Sequence, residues 1–310
     1  MVNNKAADLF NVNGLVAVIT GGGSGLGKYA ARALDANGAK AVYIVGRREE
    51  ALREVAKGAR NIIPIVGDVT SKESLEKVAE QVSKEQGYVN LLFANAGVIG
   101  PIVKKSLPEK GSGLDGRPSI DEMQKALWGP SMEEFTNTSH VNCTGVFYTA
   151  VAFMALLDAG NKQQNVAQDS QIIVTTSIAG FSRELASGFS YSASKAGLTH
   201  LVKMLSTSFA QNRYRIRCNL IAPGLYPSEM TGDGLVKNGR FSRADDGSRY
   251  ADAFDGAYLL KPEVAPGERT GSEQDFAGVI LFMASQAGSY LNGETLVTDG
   301  GRLSQLPATY

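Results

Sequence analysis

The sequence predicts an α/β protein built as a single domain on one doubly wound, seven-stranded parallel sheet. Two observations carry that expectation. A short apolar, β-branched run at 15–20 breaks at once into Gly21-Gly22-Gly23-Ser24-Gly25-Leu26-Gly27 and then into a stretch of helical spacing. Beyond it, short apolar runs and longer amphipathic stretches keep alternating along the chain.

The run Leu-Val-Ala-Val-Ile-Thr has the length and branching of a buried strand. After the glycines, Leu26, Ala30, Ala33 and Leu34 share one helical face until Gly38 stops the segment. A second apolar run, 41–45, follows almost directly, which completes a βαβ unit. Residues 61–66 and 89–93 read as further strands around a helix at 71–86, whose Leu75, Val78, Ala79 and Val82 form one face. The last three strands are expected at 171–176, 216–221 and 294–298, and long helices at 131–159, 190–211 and 272–287. Two segments break this rhythm, 98–130 and 225–269, both rich in proline, glycine and charge. They read as an insertion and a long substrate loop within one domain spanning 1–310, because both follow strands at the carboxyl edge where such sheets bind ligands.

Composition narrows the function classes. Thirty-one basic residues balance thirty-one acidic ones, so net charge attracts neither nucleic acid nor an anionic membrane. Cys143 and Cys218 are the only cysteines and read as free buried thiols in a reducing compartment. The polar start at 1–10 fits no signal or transit peptide, and no run approaches the ~18 apolar residues of a membrane span. A cytoplasmic protein is expected. His140 and His200 are too few and too far apart for a metal site.

A glycine-rich turn between a buried strand and a helix lets backbone N–H groups approach a diphosphate at the positive helix end. The spacing Gly21-x-x-x-Gly25-x-Gly27 is weak as a bare pattern and gains its meaning from the βαβ context. At the end of the second strand, an NAD site usually places a carboxylate on the ribose, whereas this chain has Val45-Gly46-Arg47-Arg48. Arg47 or Arg48 could pair with a 2'-phosphate, which favours NADP(H) over NAD(H); both could equally be solvated residues opening a helix beside Glu49 and Glu50. Asp68 could accept from an adenine amino group or start a helix. Tyr191 and Lys195 fall one helical turn apart, so a fixed ammonium can stand beside a phenol that alone titrates near pH ~10. With eleven tyrosines in the chain, that pair alone carries little weight.

The set of motifs resembles the short-chain dehydrogenase/reductase family over about residues 15–301. It comprises Thr20 to Gly27, Asp68-Val69, Asn95-Ala96-Gly97, Asn142 in Val-Asn-Cys-Thr-Gly-Val-Phe, Ser177, Tyr191-Ser-Ala-Ser-Lys195, Pro223-Gly224 and Asp299-Gly300-Gly301. The resemblance implies a Rossmann fold and a hydride transfer between a nicotinamide and a carbonyl or secondary alcohol of a small-to-medium substrate. Tyr191 would be the general acid, Lys195 would lower its pKa and hold the nicotinamide ribose, and Ser177 would orient the substrate oxygen. Asn142 would anchor a relay water. Gly21, Gly23, Ser24, Gly25, Leu26 and Gly27 would cradle the diphosphate, with Asp68, Val69, Asn95, Ala96 and Gly97 around the adenosine. Asn95 can also tie neighbouring strands. Pro223, Gly224, Leu225 and Thr231 would face the nicotinamide amide or the diphosphate, and Asp299-Gly300-Gly301 suggests a homo-oligomer.

The interval from Asn95 to Asn142 is longer than is common in the family, as is the loop after Gly224. The phrase from Asn219 to Thr231 is similar to a branch containing gluconate 5-dehydrogenase-like and rhamnolipid-type 3-oxoacyl reductases. Phe181, Leu185, Phe189, Leu225, Tyr226 and Met230 are candidates for an apolar substrate wall; Trp128 could line the pocket or pack the insertion down. Cys143 should point about 100 degrees away from Asn142 around a helix and take no part in catalysis. Two other classes stay open: a non-redox isomerase, dehydratase or cyclase that keeps a bound nicotinamide, and a nucleotide-sensing binding protein.

Overall fold

The structure is a computed structural model that describes residues 4–102, 107–184, 188–232 and 256–309. All seven expected strands form, within a few residues at each end: β1 Val16–Thr20, β2 Ala41–Gly46, β3 Ile62–Val66, β4 Leu91–Ala94, β5 Gln171–Thr175, β6 Arg217–Pro223 and β7 Thr295–Thr298. They make one sheet in the order β3-β2-β1-β4-β5-β6-β7, and every pairing is parallel. This is a single-domain Rossmann-like α/β fold. Ile19 of β1 sits opposite Ile44 on one side and Phe93 on the other. Because the strand order reverses between β1 and β4, the loops leaving these strands part and open a crevice at the carboxyl edge.

Among the described residues the helices are α1 Ala6–Leu9, α2 Gly25–Ala36, α3 Glu49–Ala56, α4 Lys72–Gln86, α5 Ile120–Trp128, α6 Met132–Ser139, α7 Val146–Gln163, α8 Phe189–Gln211 and α9 Glu273–Ala284. Alternation along each strand feeds two cores. Ala17, Ile19, Val42, Ile44 and Phe93 meet α2, α3 and α9 through Leu34, Leu52, Phe276 and Ile280. Val16, Val18, Tyr43, Leu92 and Val174 meet α4, α7 and α8 through Val82, Phe153, Leu157, Leu198 and Val202. Each such large side chain, fully buried, contributes about 1.5–3 kcal/mol, so the sheet is clamped on both faces.

Three differences from the sequence expectation have local causes. The insertion at 98–130 is not merely a loop, because Ser119 and Glu122 form a capping box that starts α5. The eight-residue α3, which the sequence leaves as one alternative at Arg47 and Arg48, forms with Arg48 as its N-cap and is held by buried Leu52 and Val55. The helix expected at 131–159 is interrupted by a π turn, His140–Gly145, between α6 and α7. Met132–Gln163 is, among the described residues, the one helical stretch long and apolar enough to cross a membrane, and its Phe153, Leu156 and Leu157 are packed into the core. Of the loop at 225–269, residues 233–255 lie outside the described residues.

Candidate active site

The glycine loop is shaped by close approach. Gly21 has φ +67°, and a Cβ on it would come within 2.9 Å of Ala96 Cα; one on Gly27 would lie 2.3 Å from Gly21 O. Only glycine lets β1, the loop after β4 and the start of α2 meet so tightly. Asn95 fastens the same junction: its Nδ2 donates to Thr20 O at 3.2 Å and Gly21 O at 3.3 Å, and its Oδ1 accepts from Thr175 Oγ1 at 2.9 Å. Thr20 Oγ1 in turn accepts from the backbone of Asn95 at 3.1 Å and Ala96 at 3.2 Å. Three strand ends are thereby locked together at the point where the topology reverses.

A cleft of about 450 Å3 opens there. It is lined by Gly21, Gly23, Ser24, Gly25, Leu26, Arg47, Arg48, Asp68, Val69, Asn95, Ala96, Gly97, Ser177, Tyr191, Lys195, Pro223, Gly224, Leu225 and Thr231. Of the catalytic and cofactor-binding residues expected from sequence, only Gly27 and Asn142 are not on its surface. Asp68 does not start α4; Ser71 caps that helix, and Asp68 Oδ1 accepts from Thr70 N at 2.9 Å and Thr70 Oγ1 at 2.7 Å. Those bonds, the backbone one foremost, hold the Asp68 carboxyl below its usual range, with Arg47 adding to the effect. The two arginines differ. Arg48 Nη2 pairs with Glu229 Oε2 at 2.8 Å, whereas Arg47 makes no ion pair among the described residues.

Tyr191 and Lys195 share the first turns of α8 and are only 8% and 4% exposed. Lys195 Nζ donates to Thr175 O at 2.8 Å and stands 5.7 Å from the centre of the Tyr191 ring. Burial pushes the phenol up, opposed by a side-chain bond with Ser177, and burial brings the ammonium down to about 8. Burial thus outweighs the Ser177 bond, the lowering expected from Lys195 is not among the causes acting on the phenol, and Tyr191 is held in its protonated form. Ser177 follows β5, and its Oγ accepts from Ala179 N at 3.1 Å, which fixes the short turn Ile178–Gly180.

Asn142 is fully buried at the π turn. Its Oδ1 accepts from Val98 N at 2.9 Å, and its Nδ2 donates to Val98 O at 2.9 Å and Ser194 Oγ at 3.0 Å. Ser194 Oγ donates onward to Tyr191 O at 2.7 Å. The Asn142 side chain is thus a brace between the loop after β4 and the helix turn that carries Tyr191. Cys143 points elsewhere, its Sγ donating to Ser194 O at 3.0 Å, and burial raises its thiol. It is half-buried rather than buried; Cys218 is buried, and both are free.

Of the expected apolar wall, Leu225, Tyr226 and Met230 line the cleft. Phe181 and Phe189 do not, and Phe189 is 50% exposed. Trp128 does not either: it is 85% exposed at the end of α5. Leu185 lies outside the described residues. Thr231 lines the cleft, but its Oγ1 closes a turn by donating to Tyr226 O at 2.6 Å. Sequence reasoning missed Ser182, Glu184, Arg302 and Leu306, which also line the cleft. They meet because Ser182 and Ala308 form an antiparallel bridge between segments far apart in the chain.

A family model described as short chain dehydrogenase matches residues 15–235. The chain belongs to the short-chain dehydrogenase/reductase family. It is 44% identical over 308 residues to the short-chain dehydrogenase/reductase PhomF of Diaporthe leptostromiformis, covering 98% of this chain and 97% of that protein. Among solved structures it resembles the Pseudomonas aeruginosa RhlG/NADP active-site complex, with a TM-score of 0.71 and 25% identity over 95% of this chain and 98% of that one. Gluconate 5-dehydrogenase of Gluconobacter oxydans matches at 25% identity over 95% of this chain and 96% of that protein, so the comparisons support the family and do not single out the branch suggested by residues 219–231. Fold and relatives together make the chain an NAD(P)(H)-dependent oxidoreductase of this family.

Proposed function

We propose that the protein is an NADP(H)-dependent ketoreductase acting on a carbonyl of a small-to-medium organic molecule. The observation that carries this reading is the convergence of Ser177, Tyr191 and Lys195 with the glycine loop on one cleft. The cleft suits a dinucleotide because Gly23, Ser24, Gly25 and Leu26 line it at the start of α2, where a helix end favours a diphosphate, while the tight packing at Gly21 and Gly27 holds that loop in place. Gly21 to Leu26 would hold that diphosphate, Arg47 the 2'-phosphate, Lys195 the nicotinamide ribose, and Leu225 the amide. When bound, NADPH supplies the hydride. Ser177 Oγ orients the carbonyl oxygen, and Tyr191 Oη delivers a proton to it as negative charge develops. Lys195, its ammonium brought down to about 8 by burial, is placed to restore that proton. A homo-oligomer in the cytoplasm completes the reading.

The cofactor half is tested at Arg47. Charge-assisted bonds to a phosphate are worth about 1.5–3 kcal/mol, so Arg47→Ala should weaken NADPH about 10- to 100-fold. NADH binding should stay within about twofold, since it lacks the phosphate that Arg47 reads. Equal losses for both cofactors, measured by fluorescence titration, would refute the assignment. Arg48 is the weaker candidate because Glu229 already holds its guanidinium.

The chemical half is tested by pH. Reduction needs a protonated Tyr191 and a charged Lys195, whose value near 8 lies below that of the phenol. Below that value both groups carry their protons, so kcat/KM for reduction should be level, and it should fall as pH rises through about 8. Alcohol oxidation should change in the opposite sense. A reduction rate that climbs from neutral to alkaline pH, with hydride transfer rate-limiting, would contradict the proton path.

A further inference from the structure

Arg302 has no part in the chemistry described so far. It opens the short turn Arg302–Gln305, is half-buried, and lines the cleft together with Leu306. The segment after it is pinned to the chain leaving Ser177: Arg183 N donates to Pro307 O at 2.7 Å, and Thr309 N to Phe181 O at 2.8 Å. Arg302 therefore belongs to the β5 end of the cleft. That end lies three strands from β2 and its arginines, about 14 Å at ~4.8 Å per strand.

The guanidinium is anchored but not neutralised. Nη1 donates to Val264 O at 2.6 Å, and no ion pair to Arg302 forms among the described residues. Asp299, three residues earlier, directs its carboxylate to Gly301 N at 2.9 Å and Leu303 N at 2.6 Å instead. Glu184, on the same rim, is exposed to water. The anchor on Val264 holds one corner of the guanidinium, and among the described residues Nε and Nη2 have no partner, leaving the parallel fork that a carboxylate matches. Partial burial strengthens that attraction relative to a surface site. A single guanidinium suits a monoanion; among the described residues the only other cation lining this end is Lys195, which faces Tyr191.

We propose that Arg302 receives a carboxylate of the substrate, so that the carbonyl compound taken by this cleft is an oxo acid. The inference rests on reading the cleft as a carbonyl-reducing site, and its test separates the two. NADPH-loaded protein is titrated calorimetrically with hexanoate, octanoate and decanoate and with the corresponding amides. The best carboxylate should bind at least ~10-fold more tightly than its amide, the effect of one charge-assisted pair. Arg302→Gln should abolish that preference and Arg302→Lys retain most of it, with NADPH affinity within about twofold in both. Turnover of 5-oxooctanoate and 7-oxooctanoate against their methyl esters reads the same preference in kcat/KM. Equal binding of carboxylate and amide by the wild-type protein, or a preference that survives Arg302→Gln, overturns the inference. Turnover of free acids and esters alike, independent of Arg302, removes the inference and leaves the ketoreductase reading. A carboxylate preference without hydride transfer to any oxo acid does the reverse.

Discussion

Replacing Tyr191 by Phe should lower kcat for carbonyl reduction by about 100- to 10,000-fold, the range that a positioned general acid contributes. The change removes one oxygen and little else. The ring stays packed at the start of α8, and the contact that holds this turn, Ser194 Oγ to Tyr191 O, is made by the backbone. Ser177 loses a partner, but its bond to Ala179 N keeps its turn in place. NADPH affinity should accordingly remain within about twofold, because the glycine loop, Arg47 and Lys195 are untouched. Single-turnover mixing of NADPH-loaded protein with substrate separates hydride transfer from product release. A rate within about tenfold of wild type in that experiment would mean that the proton comes from another group, and the ketoreductase assignment would lose its acid.

Much of this arrangement could be read from the residues, and the misses share a physical cause. The strands were legible because buried parallel strands are short, apolar and branched, and even the half-exposed edge strand β3 kept that character. The site residues gathered as expected because the loops after β1, β4, β5 and β6 all leave the same edge of the sheet. The helix α5 is hidden by its proline- and glycine-rich surroundings, although Ser119-x-x-Glu122 is a capping signal of the same kind as the Ser131-x-x-Glu134 that starts α6. The π turn at Asn142 alters helical periodicity by a single residue, which no apolar pattern registers. Contacts between distant segments left no local signature: the Ser182–Ala308 bridge and the Arg48–Glu229 pair depend on how loops return, not on spacing. Trp128 shows the converse error. Its aromatic ring fits a pocket wall or a side chain that packs the insertion down, but it stands in solvent at the end of α5 and does neither.

The π turn leads to the second large effect, at Asn142. Its side chain satisfies both backbone groups of Val98 and one hydroxyl, all within 3.0 Å, and it is wholly shielded from water. Asn142→Ala would leave Val98 N and O without these partners; an unpaired buried group costs about 1–3 kcal/mol, and half-buried Val98 at the edge of the cleft falls at the lower end of that range. A loss of ~2–3 kcal/mol overall corresponds to a fall in Tm of about 3–5 °C for a chain of this size. Activity should fall as well, in a pattern unlike that of Tyr191→Phe. The loop freed by the substitution includes Gly97, on which a Cβ would lie 3.1 Å from Asn142 Oδ1 and 3.6 Å from Lys195 Nζ, so cofactor affinity and kcat should weaken together. Asn142→Asp gives the sharper test of the brace, because it keeps an acceptor for Val98 N but turns a carboxylate oxygen toward Val98 O and Ser194 Oγ. Ser194 has one hydroxyl proton and gives it to Tyr191 O, so it can donate to the carboxylate only by releasing that bond, and the carbonyl cannot donate at all; this variant should therefore recover only part of the lost stability. If Asn142 contributed only its backbone carbonyl to a relay water, both variants would melt near the wild-type temperature and lose little cofactor affinity. Calorimetry of the two proteins, with and without NADPH, distinguishes a side chain that holds the site together from a backbone position that any residue could supply.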